Sequence, residues 1–170
     1  DVDASLYYLA VMLEGGEDPR FLARRMVILA SEDIGNADPM ALLVADAAAR
    51  AVDRVGLPEA ALNLGQAAIY LALAPKSNAS TTAIGAARAE VRQHGAQTPP
   101  DYLRDAHYPG AAALGRGEGY QYAHDHPGNV APQRYLPDAL AAREFYAPTG
   151  NGREKALGER LAELRRRLGR

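Results

Sequence analysis

The chain has 170 residues, of which 48% are hydrophobic and 24% charged, with a formal net charge of -2. These totals suit one globular domain with a real core, and they exclude wholesale disorder and nonspecific attraction of the whole molecule to nucleic acid. The absence of cysteine excludes disulfides, thiol catalysis and Cys-ligated zinc, and permits a reducing cytosol.

With 2 Phe, 9 Tyr and no Trp, the core must come from Ala, Leu and Val, a composition that favours close-packed helices. Asp3 is placed to cap a first helix with Leu6, Leu9, Ala10 and Leu13 on one face, ended by Gly15-Gly16. Asp18-Pro19 starts a second, with Leu22, Met26, Leu29 and Ala30 as its apolar face and Gly35 as its stop. Asp38-Pro39 repeats that start for a third helix, from Met40 to Val55. Pro58 opens a fourth, from Ala60 to about Ala74, with so little polar face that it is expected to be the central buried helix. A fifth is expected from about Ser77 to Gln93.

The segment near 98–137 is rich in Gly, Pro, Tyr and His and has no sustained period, so it is expected to be irregular. Two short helices follow, Pro137 to Phe145 and about Asn151 to Leu168. No strand alternation appears. The expected class is all-α, a helical bundle of antiparallel helix pairs forming a single domain over 1–170, with a basic helix at 151–170. The acidic opening Asp1-Val2-Asp3 is unlike a signal peptide, and the most apolar run is too short to span a bilayer. A start without Met, almost directly in a helical pattern, suggests a piece of a longer protein.

Five stretches invite a chemical reading. Glu32 and Asp33 fall in the last turn of the second helix, where carboxylates oppose the dipole. They therefore need a partner, Arg24 or Arg25 or another subunit, and an interface reading outweighs a catalytic one. Lys76-Ser77-Asn78 lacks the glycines of a phosphate loop; a helix stop, a Ser77 cap and a Lys76 at the preceding helix's negative end explain it, with partner contact open. Gly115, Gly117 and Gly119 read as a flexible turn rather than a dinucleotide fingerprint. Asp105, His107, Tyr120, Tyr122 and His124 mark a polar loop suited to partner contact. Within it His107, His124, Asp125 and His126 could in principle hold zinc, but an Asp-His or His-Pro pair in a Tyr-rich loop more often bonds backbone. Finally, Arg160, Arg165, Arg166 and Arg167 give the tail a basic character against an acidic body; they suit phosphate-backbone contact or an ordinary solvated helix equally.

Taken in order, "DPRFLARRMVILASEDIGNADP", "LNLGQAAIYLALAPKSN", "LRDAHYPGAAALGRGEGYQYAHDHPG" and "QRYLPDAL" resemble the C-terminal half of the RarA/MgsA AAA+ ATPases. These are the bacterial replication-associated recombination proteins, with the Werner-helicase-interacting ATPase as eukaryotic counterpart. The resemblance runs from about Leu6 to Tyr146, and the tail matches only in character. Where the family pattern is Lys-Tyr-Pro-His-Asp, this chain has Gln121-Tyr122-Ala123-His124-Asp125. The resemblance implies a clamp-loader-collar-like helical region that holds ATPases together as a homotetramer. It also implies a cytoplasmic, nucleoid-associated role at stalled forks, with DNA and single-strand DNA-binding protein as partners and no membrane. ATP and Mg²⁺ would belong to an ATPase domain absent here, leaving this region without cofactor, metal or catalytic residue. The leading expectation is a non-catalytic oligomerisation domain. The alternatives are a DNA- or protein-binding module using 102–136 and the basic tail, and a small enzyme using Glu32, Asp33 and the His loop.

Overall fold

The computed structural model describes residues 1–170, the side chain of residue 112 excepted. Among the described residues there are six α-helices and no strand: α1 Val2–Glu14, α2 Pro19–Leu29, α3 Met40–Val55, α4 Ala60–Leu73, α5 Ala79–His94 and α6 Glu154–Arg167. No helix is long and apolar enough to cross a membrane. The chain divides into two compact units, one of residues 1–84 and 146–157, the other of 85–145 and 158–170.

Aspartate side chains start α1, α2 and α3. Asp18 Oδ1 accepts from Arg20 N at 2.9 Å ahead of Pro19, and Asp38 Oδ1 accepts from Met40 N at 3.1 Å. The first cap is Asp1 rather than Asp3: its Oδ1 accepts from Ala4 N at 3.0 Å, and Asp3 sits inside the first turn, where its charge suits the dipole. The fourth helix packs on the first three. Leu9, Leu22, Ala23, Val52, Ala60, Leu64 and Ala68 form one cluster, and Ala30, Ile34, Ala41, Ala45 and Leu71 a second. Alanine dominates because a methyl group lets helix backbones approach closely while still removing apolar surface from water.

Gly35 stops the second helical run as expected, at φ 51°, but α2 reaches it through a π-helical turn, Ala30–Ile34, that the sequence did not predict. The extra residue of a π turn swings Ile34 inward, fully buried, and leaves Ser31, Glu32 and Asp33 outside. Helix α4 is central but not buried all round, since Leu62, Ile69 and Leu73 face outward. The expected helix from Pro137 to Phe145 is only a 3-10 turn, Asp138–Leu140, because its apolar residues are too few to hold a longer one against a core.

The second unit has few buried side chains. Residues 98–137 hold only short 3-10 turns, as the sequence implied. Hydrogen bonds fix them: Tyr102 donates to the Arg134 carbonyl at 2.6 Å, and the Gln133 amide brackets the backbone N–H and carbonyl of Gln121 at 3.4 and 3.3 Å.

Candidate functional site

The π turn carrying Glu32 and Asp33 is strapped by its backbone to the start of α5. The Asp33 carbonyl accepts from Ser77 N at 2.7 Å, and the Glu32 carbonyl accepts from Thr81 Oγ1 at 3.1 Å. A Cβ at Gly35 would meet the Ser77 carbonyl at 3.2 Å, so the close approach favours glycine there. The two carboxylates are exposed and form no ion pair among the described residues. Arg24, an expected partner, lies over the Phe21 ring at 5.3 Å instead. Glu32 and Asp33 share the rim of a groove of about 440 Å³ with Arg25 and Lys76, above a floor that includes Leu9, Met26 and Leu71.

Lys76 and Ser77 do what a helix stop and cap require. The Lys76 ammonium donates to the carbonyls of Leu71, Ala72 and Ala74 at 2.8, 3.2 and 2.5 Å, satisfying the orphan acceptors at the end of α4. Ser77 Oγ accepts from Ala79 N at 3.2 Å and caps α5. Asn78 is exposed.

The sequence reading missed the residue that gathers this region together. Glu154, fully buried at the start of α6, accepts from Ser77 Oγ at 2.7 Å, Tyr146 OH at 2.9 Å, Thr149 N at 2.7 Å and Thr149 Oγ1 at 2.6 Å. Burial works against its charge, but the bonds from Thr149, Ser77 and Tyr146 together prevail and hold the carboxyl below the usual glutamate range. Asn151 Nδ2 donates to the Lys76 carbonyl at 2.9 Å and Arg153 N to the Ala37 carbonyl at 2.9 Å. Gly152, at φ 52°, lies where a Cβ would collide with the Ala37 carbonyl and, at 2.8 Å, with Pro75. The start of the expected basic tail is thus tied to the first unit through the buried Glu154 and the backbone and amide bonds of Asn151 and Arg153, although Asn151, Gly152 and Arg153 themselves are exposed. The available signal was the Thr149-Gly150-Asn151-Gly152 turn followed by a lone glutamate among basic residues.

In the second unit, His107 Nδ1 meets Asp105 Oδ1 at 2.9 Å with the imidazole side chain 96% exposed, and the His107 contacts, backbone first, hold the Asp105 carboxyl low. Tyr122 lies against His124 with ring centroids 5.1 Å apart; Tyr120 and Tyr122 are 54% and 55% exposed. Of the four tail arginines, Arg160 and Arg167 both pair with Glu163 at 2.8 and 2.6 Å, and Arg165 with Glu144 at 3.0 Å. Arg166 is exposed. Glu32 and Asp33 belong to one unit, His107 and His124 to the other. Among the described residues, no three His, Cys, Asp or Glu stand together as metal ligands.

The comparison with known families decides the identity. The model of the MgsA AAA+ ATPase C-terminal family matches residues 1–165. The chain belongs to that family. Within it, the chain is 56% identical over 165 residues to an uncharacterized AAA domain-containing protein of Mycobacterium tuberculosis, covering 97% of the chain and 36% of that relative. It is 46% identical to the replication-associated recombination protein A of Coxiella burnetii (98% of the chain, 38% of the relative) and 44% identical to that of Escherichia coli K12 (95% and 36%). This MgsA C-terminal domain therefore spans less than two fifths of the length of these relatives. The RarA/MgsA resemblance read from the four sequence blocks holds.

Proposed function

We propose that this domain assembles copies of a replication-associated recombination ATPase into a homotetramer and performs no catalysis itself. The observation that carries the reading is the apolar surface of α3 and α4: Leu43, Val55, Leu62 and Leu73 are each more than half exposed, and Met40, Leu42 and Ile69 on the same helices are exposed as well. Exposed apolar surface of this kind marks contact with another protein, and closed symmetry makes a second copy the simplest occupant. ATP and Mg²⁺ then belong to the remainder of the longer protein, and DNA and single-strand DNA-binding protein are partners of the assembled ATPase, in the cytoplasm at the nucleoid. The rim residues Glu32, Asp33, Lys76 and Asn78 border the surfaces that neighbouring subunits or domains would meet. Light scattering at micromolar concentration tests the reading: a mass near four times 18.1 kDa is expected, and a monomer at every concentration overturns it.

A second reading, a partner-binding module built on 102–136 and the basic tail, is favoured by one observation, the exposed Tyr120 and Tyr122 beside His124. Its phosphate-contact arm rests on Arg160, Arg165, Arg166 and Arg167, and the pairing of three of them with carboxylates weakens the field available to DNA. Substituting Arg160, Arg166 and Arg167 by Ala is the suitable test. Deleting 153–170 is not, because it removes the buried Glu154. Unchanged salt-dependent DNA binding by the triple variant removes the tail from this reading.

A further inference from the structure

The outward face of α4 carries a pattern that ordinary solvent exposure does not explain. Leu62, Gln66, Ile69 and Leu73 are all exposed and lie four, three and four residues apart, the spacing of a two-helix seam. Leu62 at 75% and Leu73 at 71% are the most exposed large apolar residues among the described residues. Two hollows flank this stripe in the angle between α3 and α4. One of about 490 Å³ is lined by Val44, Ile69, Leu73 and Pro75, the other, of about 180 Å³, by Ala47, Asn63, Gln66 and Ala67.

We infer that α4 pairs with α4 of a second copy, antiparallel, about a two-fold axis that passes between the two helices at the level of Ala67 and Ala68. The inference rests on the assembly reading and names the surface that carries it. One register satisfies the whole stripe. Leu62 falls opposite Leu73 of the second copy, and Gln66 opposite Ile69, with the same contacts repeated by symmetry. The most exposed leucines then cover each other, and the single polar residue of the seam lies near the axis, where a buried amide fixes register. The level of Leu73 in one copy brings Leu62 of the other beside the larger hollow, and the reverse contact brings Leu73 beside the smaller.

The charges at the helix ends agree with this orientation. Glu59 precedes α4, and the Lys76 ammonium rests on its last carbonyls. Antiparallel pairing sets the acidic end of each helix against the basic end of the other and opposes the two dipoles. Parallel pairing would set Glu59 against Glu59, Lys76 against Lys76, and dipole beside dipole. A protein partner other than a second copy would need no such symmetry in the stripe.

A chain without cysteine makes the test direct. Leu62→Cys and Leu73→Cys are prepared separately, then mixed to allow subunit exchange and mildly oxidised. The mixture is expected to form disulfide-linked dimers on a denaturing gel, and each variant alone is not. In this register equivalent residues lie roughly 16 Å apart along the helix, beyond disulfide reach. Equal cross-linking of either variant alone overturns the inference. So does no cross-linking of the mixture while light scattering still reports an assembly, an outcome that leaves the assembly reading standing. A monomeric wild-type protein overturns both. Leu73→Asp supplies a second measurement: it should weaken association at least about ten-fold with helical circular dichroism unchanged, because the side chain is exposed within one copy. An unchanged association constant for Leu73→Asp also overturns the inference.

Discussion

The two units of this domain are held by different physics. In the first, α1 to α4 bury Leu9, Leu22, Val52, Leu64 and a set of alanines, and a fully buried carboxylate, Glu154, collects four hydrogen bonds. In the second, the apolar core nearly disappears. Glu90 is gripped by Arg143 Nη2 at 2.7 Å and Nε at 3.0 Å and by His94 at 2.6 Å; Tyr102 and Gln133 pin loop backbone; Arg165 pairs with Glu144. Apolar burial is not weakened by charge screening, whereas contacts between charged groups near the surface are. The contrast teaches that an irregular, glycine-rich segment can be ordered without a large core, at the cost of sensitivity to salt and pH.

The strongest way to break the comparison is through the first unit's core. Leu64→Ala should destabilise it by about 2–5 kcal/mol, because Leu64 is fully buried and its neighbours can refill the space only in part. Chemical denaturation followed by circular dichroism measures this, and a loss below about 1 kcal/mol would show that α4 is not central.

Next in size is the buried carboxylate. Glu154→Ala leaves the donors of Ser77, Tyr146 and Thr149 without their acceptor and should cost roughly 3 kcal/mol. Wild-type stability should also carry a pH signature. The Glu154 carboxyl titrates below its unfolded value, so its contribution is fully present above the ordinary glutamate range and is lost as pH falls through the lowered folded value. The Glu154→Ala protein should lose that part of the acid dependence; equal acid slopes in the two proteins would refute the assignment.

Gly152→Ala should follow, at about 2 kcal/mol, since it adds a side chain at positive φ against the Ala37 carbonyl and Pro75. If thermal melting is unchanged, the close passage of 151–154 over the first unit is wrong.

The smallest effect sharpens the contrast from the other side. Arg143 holds the Glu90 carboxyl below its usual range, with His94 adding to the effect against burial. Arg143→Ala should raise the Glu90 pKa and lower the protection of amide hydrogens in α5 beyond Gly85. The difference from wild type should shrink in 1 M salt, where screening extends over only ~3 Å. A salt-independent loss would mean that Arg143 acts by packing its alkyl stem rather than by charge.

The sequence by itself determined the helical class, the starts at Asp18 and Asp38, the irregularity of 98–137, and the roles of Lys76 and Ser77 as stop and cap. These depend on contacts among residues a few positions apart, so local propensity and capping chemistry suffice to read them. Its ordered blocks also sufficed to place the chain in its family. Only the tertiary structure decided the rest. The π turn at Ala30–Ile34 exists because Ile34 must reach the core while the Asp33 carbonyl meets Ser77, a contact across more than forty residues. Glu154 sits among arginines in the chain and reads as one more surface charge, yet Ser77, far away in sequence, makes it a buried acceptor. The exposed stripe on α4 was hidden for the opposite reason. Its leucines look like core residues, and only the positions of α1, α2 and α3 reveal which face of the helix they leave uncovered. Side-chain period identifies an apolar face; which neighbours cover it is set by packing between segments distant in sequence.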